Sequence, residues 1–393
     1  YALGSHPDLR ANVALVVRRD DAAVPPRRYA DLDVYVEESR PIHGVFSVAN
    51  TGTKTTGEWR PTLSLQHLNL TRRDDVFTLN LGPFSDDFST LQTYGLNYYR
   101  PYYWKKGGGL SLYGGYSNLD VNEVVPDIDL EGWGAFGGIQ ILHVVRETKA
   151  SSTSVGLGLT YRHIEDRLNL SPEGRAAERL DKRPLKLLPL SLLAMHSDRE
   201  ADLLGGRMFY TLQWVIHFEN SLTSDEAEFQ SVRAESSPNY QTLRLQVARL
   251  QPIFGRWMPT PDKQQMVRKD QWLLFLRADG QWSEDVLTPV EEKAIGGMDT
   301  VRGFPERVVM GDTGVSGTLE LRTPTYLRNW TARLVKSAKS SSQGPGVGQG
   351  VQGVLFADAG WVRDNLEKTP GQSNEFTIAS AGVGLRTFIG NAV

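Results

Sequence analysis

Apolar and polar residues alternate along many segments of the chain, most clearly over residues 208–218. The apolar positions there are Met208, Tyr210, Leu212, Trp214, Ile216 and Phe218. Thr211, Gln213, His217 and Glu219 fall on the opposite face, with Phe209 and Val215 as exceptions. A strand that crosses a membrane shows this alternation over about ten residues, because it faces lipid on one side and a lumen on the other. The segment therefore predicts a membrane-spanning strand.

The same alternation recurs before and after this segment. Apolar Val155, Leu157, Leu159 and Tyr161 alternate with Gly156, Gly158, Thr160 and Arg162, and segments 77–81, 242–248 and 315–322 behave alike. Arginine on the inner face predicts a water-filled lumen. About 14 strands are predicted, at 42–50, 60–70, 75–83, 90–100, 108–118, 131–147, 153–164, 188–197, 206–219, 240–250, 271–283, 314–323, 351–362 and 375–389.

The connections between these strands predict the fold class. Segments 71–74 and 147–152 are short, whereas 165–189, 220–239 and 284–313 are long, as in outer-membrane barrels with long outer loops and short inner turns. Two connections, 251–270 and 324–350, should be inner turns but are long, and the second contains a Ser- and Gly-rich segment typical of a linker. We predict an all-β protein that forms a transmembrane antiparallel β-barrel over residues 42–393.

Composition excludes several other classes. The 393 residues are 40% hydrophobic and 23% charged, which argues against disorder, and the net charge of −3 gives no general attraction to nucleic acid. The chain has no cysteine, so disulfides and thiolate metal sites are excluded. The longest apolar run, Leu187 to Met195, is about half of the roughly 20 residues that a membrane helix needs. Any membrane crossing must use strands.

Residues 1–41 differ from the rest of the chain. Val13 to Val17 and Leu32 to Val36 predict two short strands, and Pro41, which cannot donate a ladder hydrogen bond, is a natural boundary before the first barrel strand. We interpret this part as the end of a small periplasmic domain.

Three motifs occur in order in the C-terminal third of the chain. Gly296-Gly297-Met298-Asp299-Thr300-Val301-Arg302-Gly303-Phe304 lies in the long connection at about 284–313. It is followed by Leu319-Glu320-Leu321-Arg322-Thr323-Pro324 and then by Phe356-Ala357-Asp358-Ala359-Gly360. Together they resemble the two-partner-secretion transporters (TpsB, haemolysin secretion/activation type) of the POTRA-plus-barrel outer-membrane translocase superfamily. At the amino end, Asp31 to Glu37 resembles the end of the last POTRA domain.

The resemblance implies which residues anchor the loop. In that family the loop with the Val-Arg-Gly motif folds into the lumen, and its arginine meets the aspartate of the Phe-x-Asp-x-Gly strand. Here the motif is Val301, Arg302, Gly303 and Phe304, and the wall partners are Phe356, Asp358 and Gly360. The alternation agrees, since outward Leu355 and Trp361 turn Asp358 inward, where a guanidinium is a suitable partner. Glu320, Arg322 and Arg386 also fall on the inner face and either extend this network or are solvated lumen charges.

The resemblance also implies function and partners. We expect an outer-membrane pore that secretes a partner polypeptide, typically a large β-helical exoprotein, with its N-terminal part in the periplasm. No cofactor and no metal is expected. Family barrels have 16 strands, so we expect either that two strands lie outside this sequence or that a partner chain closes the barrel. A strand edge left open in lipid would leave backbone groups unsatisfied.

Four alternatives remain at this point. Within the superfamily, an insertase of the BamA type would share the barrel, and a passive porin would share the alternation but not the Arg302 motif. An enzyme is disfavoured, because Ser191, His196 and Asp198 share one strand and the histidines lack ligand spacing. A soluble all-β protein is the fourth alternative.

Overall fold

The chain folds almost entirely into antiparallel strands. The structure, a computed structural model, describes residues 9–20, 27–38, 40–53, 57–85, 88, 90–101, 103–104, 107–125, 128–170, 178–259, 266–326, 350–366 and 373–388. Two strands near the amino end, β1 (Leu9–Asp20) and β2 (Arg27–Glu38), pair with each other and, within the described residues, with no other strand; they contain the two short strands predicted there. Their assignment to a periplasmic domain stays a prediction.

One large sheet of 15 strands follows. Its members are β3 (Ile42–Thr53), β4 (Gly57–Leu68), β5 (Val76–Leu81), β6 (Leu91–Pro101), β7 (Gly108–Val125), β8 (Ile128–Glu147), β9 (Ser151–Leu170), β10 (Glu178–Leu187), β11 (Leu190–Asp198), β12 (Arg207–His217), β13 (Tyr240–Pro259), β14 (Met266–Trp282), β17 (Thr313–Arg322), β18 (Gly350–Arg363) and β19 (Glu375–Phe388). Neighbours in sequence are neighbours in the sheet, apart from β10, which pairs beside β9. This up-and-down order, with no crossovers, is that of a β-barrel wall.

Each of the fourteen predicted strands corresponds to a strand of this sheet. Strand β10 is not predicted, because its sequence is rich in charge and lacks a clean alternation. The predicted long turn at 251–270 is wrong. Strand β13 continues to Pro259 and β14 already begins at Met266, and their pairing has register shifts after Pro252. The predicted linker lies outside the described residues. A second small sheet, β15 (Lys293–Ile295) with β16 (Val309–Gly311), lies inside the long connection between β14 and β17.

The two faces of the sheet differ as a membrane barrel requires. Along β12, Leu212 and Trp214 are each 41% exposed, whereas Val215 and His217 on the other face are buried. Leu157 and Leu245 on the neighbouring strands are exposed in the same way. Exposing rows of aliphatic side chains to water would cost free energy, whereas contact with lipid does not. The outer face of the sheet is therefore its lipid-facing surface.

On the inner face, aromatic rings lie flat over glycines. The ring of Tyr113 on β7 covers Gly138 on β8, and its hydroxyl is 2.6 Å from the Thr160 hydroxyl on β9. Phe136 covers Gly115 in the reverse direction. A side chain at either glycine would collide with the ring, so these glycines allow one aromatic group to span neighbouring strands.

Loops form a small core at the end of the sheet where β12, β14 and β18 finish. Helix α1 (Glu226–Val232) is capped at its amino end by Asp225, whose carboxylate accepts the Glu228 N–H at 2.9 Å. Its Phe229 is fully buried with Leu185, Leu187, Tyr240 and Leu287. We call this group of residues the mouth core. Among the described residues, no helix is both long and apolar enough to cross a membrane.

Candidate functional site: a loop held inside the sheet

Residues 283–312 connect β14 to β17 and turn back along the inner face of the sheet; we call them the lumen loop. Strands β15 and β16 form its stem, and Gly296, Gly297 and Gly303 have positive φ angles of 105°, 97° and 89° at its tip. Residues other than glycine rarely adopt such angles. The Gly297 N–H donates to the Phe304 carbonyl at 3.2 Å. The glycines thus fold the motif into a closed turn that presents Arg302.

Arg302 binds Asp358 through three hydrogen bonds. Its Nε and Nη2 donate to the two carboxylate oxygens at 2.6 and 2.7 Å, and its backbone N–H donates at 3.1 Å. The Asp358 side chain is fully buried, and that of Arg302 is 21% exposed. A bidentate contact of this type fixes both distance and orientation. The structure therefore brings together the two residues singled out from the sequence.

Glu320 extends the network along the wall. It accepts from Arg302 Nη1 at 2.6 Å, from Arg322 Nη2 at 2.6 Å and from Arg386 Nη2 at 3.1 Å. The sequence left two interpretations for Glu320, Arg322 and Arg386, namely members of the Arg302 network or separately solvated charges. In the structure both arginines bind Glu320. Two carboxylates and three guanidiniums meet here, so every buried charge has an opposite neighbour.

Apolar contacts complete the tip. The Arg302 guanidinium lies 3.7 Å from the centre of the Phe356 ring, which in turn covers Gly382 on β19. Val301 is fully buried, and its Cγ2 would lie 3.1 Å from a Cβ atom placed on Gly360. Gly360 is thus the gap in the wall that Val301 fills. Phe304 and Gly303 are more exposed and line a cavity beside Asn50 and Gly52 of β3.

Sequence reasoning missed a second ionic cluster. It lies at the end of the sheet that carries the mouth core, which we call the mouth. Arg233, just after α1, binds Asp312 at 2.7 Å and Glu292 at 2.8 Å and also contacts Asp364. Burial raises the pKa of the Glu292 carboxyl; Arg233 opposes this effect, and Asp312 and Asp364 add to it. Arg233 lies in a loop with no alternation to orient it, so no sequence signal indicated its partners.

Sequence reasoning also missed a third cluster, on the stem. Glu291, with no exposed side-chain surface, contacts Arg162 and binds Arg244 at 2.7 Å, while Lys293 contacts Asp279. The inner position of Arg162 and Arg244 was evident from alternation. Their partner was not, because it comes from a distant loop.

An up-and-down sheet with a lipid-facing exterior and a charged loop pinned to its inner face defines the chain as a transmembrane β-barrel of the outer-membrane type. The sequence profile of the family described as haemolysin secretion/activation protein ShlB/FhaC/HecB matches residues 28–171 and 261–387. The chain belongs to this family, as the three motifs indicated.

Individual relatives agree with this assignment. The "Outer membrane transporter CdiB" of Escherichia coli O6:K15:H31 (strain 536 / UPEC) is 32% identical over 138 residues, which are 35% of this chain and 20% of that protein. Solved structures of CdiB from Escherichia coli and from Acinetobacter baumannii have TM-scores of 0.68 and 0.66, at 18% and 16% identity. They cover 95% and 97% of this chain, which spans 61% and 60% of theirs.

The fold likeness extends to a wider group. A structure of BamA from Haemophilus ducreyi lacking POTRA domains 1–3 has a TM-score of 0.53 at 14% identity, over 96% of this chain and 69% of that one. At that identity the likeness shows the fold alone. The predicted fold class and family are therefore confirmed, and the chain is related to outer-membrane transporters.

Proposed function

We propose that this chain is the membrane part of an outer-membrane pore that secretes a partner polypeptide, with the Arg302 loop anchored in the lumen by Asp358. The bidentate contact between Arg302 and Asp358 is the observation that carries the proposal. A passive porin would share the alternation of the strands but not the Arg302 motif. In a family of secretion proteins, such a loop divides the lumen and sets the path that is open to an extended chain.

The proposed cargo is an unfolded polypeptide, which the family resemblance implies is a large β-helical exoprotein. It would enter from the periplasm, where residues 1–41 would form the end of a POTRA domain. No covalent chemistry is required, and we propose no catalytic residue.

The proposal is tested by deleting the gene for the full-length protein and comparing the culture medium with the outer-membrane fraction by quantitative proteomics. We expect a single large polypeptide to disappear from the medium while other barrel proteins are unchanged. A broad loss of barrel proteins would instead indicate an insertase, and no change in either fraction would leave only a passive pore. Both results contradict the proposal.

Complementation then tests the loop. Wild type should restore secretion, and Arg302→Ala should insert normally but secrete poorly. Arg307→Ala is the matched control, because Arg307 is an exposed arginine of the same loop that donates hydrogen bonds to Pro289 and Met310 of that loop itself. Normal secretion by Arg302→Ala would contradict the anchoring role.

A further inference from the structure

Glu291 lies two residues before strand β15, at the base of the stem of the lumen loop, and is bound from two sides. Arg162 on β9 contacts its Oε1 atom, and Arg244 on β13 donates to Oε2 at 2.7 Å. The carboxylate has no exposed surface, although both arginines are about 30% exposed to the lumen. One loop carboxylate therefore joins two strands that are not neighbours in the sheet.

The backbone of Glu291 is held as well. Its carbonyl accepts from Gln281 Nε2 at 2.8 Å and from Arg244 Nη2 at 3.3 Å, and Arg244 Nε donates to Gln281 Oε1 at 2.9 Å. Two residues further on, Lys293 contacts Asp279 on β14. Residues 291–293 are thus fixed to β9, β13 and β14, whereas the stem strands β15 and β16 pack mainly on β18 and the tip is fixed to β17 and β18.

Arg162, which binds Glu291, and Asp358, which binds Arg302, lie on strands that are far apart in the sheet. The sheet order from β18 to β9 runs through β17, β14, β13, β12 and β11, which is six strand steps. At about 4.8 Å per step, the attachments span roughly 29 Å of wall. The polarity of the two ion pairs is also opposite: the loop supplies the cation at Arg302 and the anion at Glu291.

We propose that Glu291 is a second positioning residue of the lumen loop, which holds the base of the stem against β9 and β13 through Arg162 and Arg244. The loop is then attached to the wall at two points, Glu291 and Arg302, and not at Arg302 alone. Without the carboxylate, two guanidiniums of like charge would face each other on a confined surface with no anion between them, and the stem would lose its ionic attachment to the wall. The importance of this position for secretion rests on the proposed function; the positioning itself does not.

These 393 residues contain no cysteine, so single cysteines placed here allow a direct test in the full-length protein reconstituted into lipid vesicles, with any cysteine elsewhere in it replaced by serine. A single cysteine at Val290, which is 39% exposed beside Glu291, reports on the stem, and one at Met298, 58% exposed, reports on the tip. We expect Glu291→Gln to raise the rate of maleimide labelling at position 290 about tenfold and to leave position 298 unchanged. Glu284→Gln is the control, because Glu284 is an exposed carboxylate of the same loop.

A double-mutant cycle separates charge pairing from general loosening. Arg244→Gln should produce an increase similar to that of Glu291→Gln, and the two together should add little. Glu291→Asp, which keeps the charge on a shorter arm, should restore part of the protection. Additive effects, unchanged labelling at position 290 or equal increases at 290 and 298 would overturn the proposal.

Conductance in planar bilayers without cargo provides a second readout. Glu291→Gln should open more often than wild type, with normal heat-modifiable migration as the check on folding; unchanged opening would count against the inference. Since no cargo is present, a failure of the secretion proposal would not affect this result, and the two can be judged separately.

Discussion

Arg233 donates to both carboxylate oxygens of Asp312, at 2.7 and 3.0 Å, and so ties the loop after β12 to the foot of the lumen loop. Asp312 is fully buried and also accepts the backbone N–H groups of Leu287 at 2.8 Å and Asn365 at 2.7 Å. Three loops from one end of the sheet therefore meet at one carboxylate. This contact, together with the mouth core, makes that end of the protein a packed structure.

Replacing Arg233 by Gln should destabilise the mouth locally. The change leaves a buried carboxylate without its cation, a loss that costs about 3–5 kcal/mol in buried pairs. We expect faster proteolysis within residues 218–239, with the sheet still inserted. Arg199→Gln is the control, because Arg199 and Glu147 form a pair with both side chains 49% exposed and should contribute about 1 kcal/mol or less. Equal protease resistance of the two variants would contradict this assignment.

Glu292 should make the mouth sensitive to pH. Because burial and the nearby Asp312 and Asp364 raise the pKa of Glu292 above its ordinary value of 4.5, the folded mouth binds this proton more tightly than the unfolded one. The stabilisation from protonation is complete below about pH 4.5 and is lost as the pH rises through the folded-state pKa.

The mouth should therefore gain stability from this group as the pH falls toward 4.5, and Glu292→Gln should remove that dependence. Hydrogen exchange of residues 218–239 and 284–313, measured between pH 4.5 and 8 and corrected for intrinsic rates, checks both expectations. The same pH dependence in wild type and Glu292→Gln would show that another group is responsible.

The sequence predicted the wall far better than the loops, for a physical reason. Lipid outside and water inside impose a period of two on every spanning strand, so the position and orientation of β12 or β18 follow from local pattern. That orientation was enough to place Asp358 and Glu320 on the inner face. The partners of Arg162 and Arg233 depend on loop paths that no local pattern records, and charged β10 has too little alternation to be recognised.

Substitutions of Asp358 and Glu320 should loosen the loop tip to different extents. Asp358 accepts three hydrogen bonds from Arg302, whereas Glu320 accepts one from it and the rest from Arg322 and Arg386. Asp358→Asn should therefore expose a single cysteine at position 298 to maleimide more than Glu320→Gln does. The double variant, which lacks both carboxylates, should be labelled at position 298 faster than either single variant. A larger effect of Glu320→Gln would reverse the order of the two anchors.

Adjacent positions on β12 offer the sharpest test of which face meets lipid. Leu212 is 41% exposed on the outer face, flanked by Ala194 and Leu245 on the neighbouring strands, and Gln213 points to the lumen. An arginine on the lipid face near the middle of a bilayer costs about 2–4 kcal/mol, whereas a lumen position keeps its water. Leu212→Arg should thus lower the free energy of unfolding from lipid vesicles by about that amount, measured by guanidinium titration followed by tryptophan fluorescence. Gln213→Arg should change it little, and similar losses in the two variants would mean that both faces of this strand are enclosed by protein.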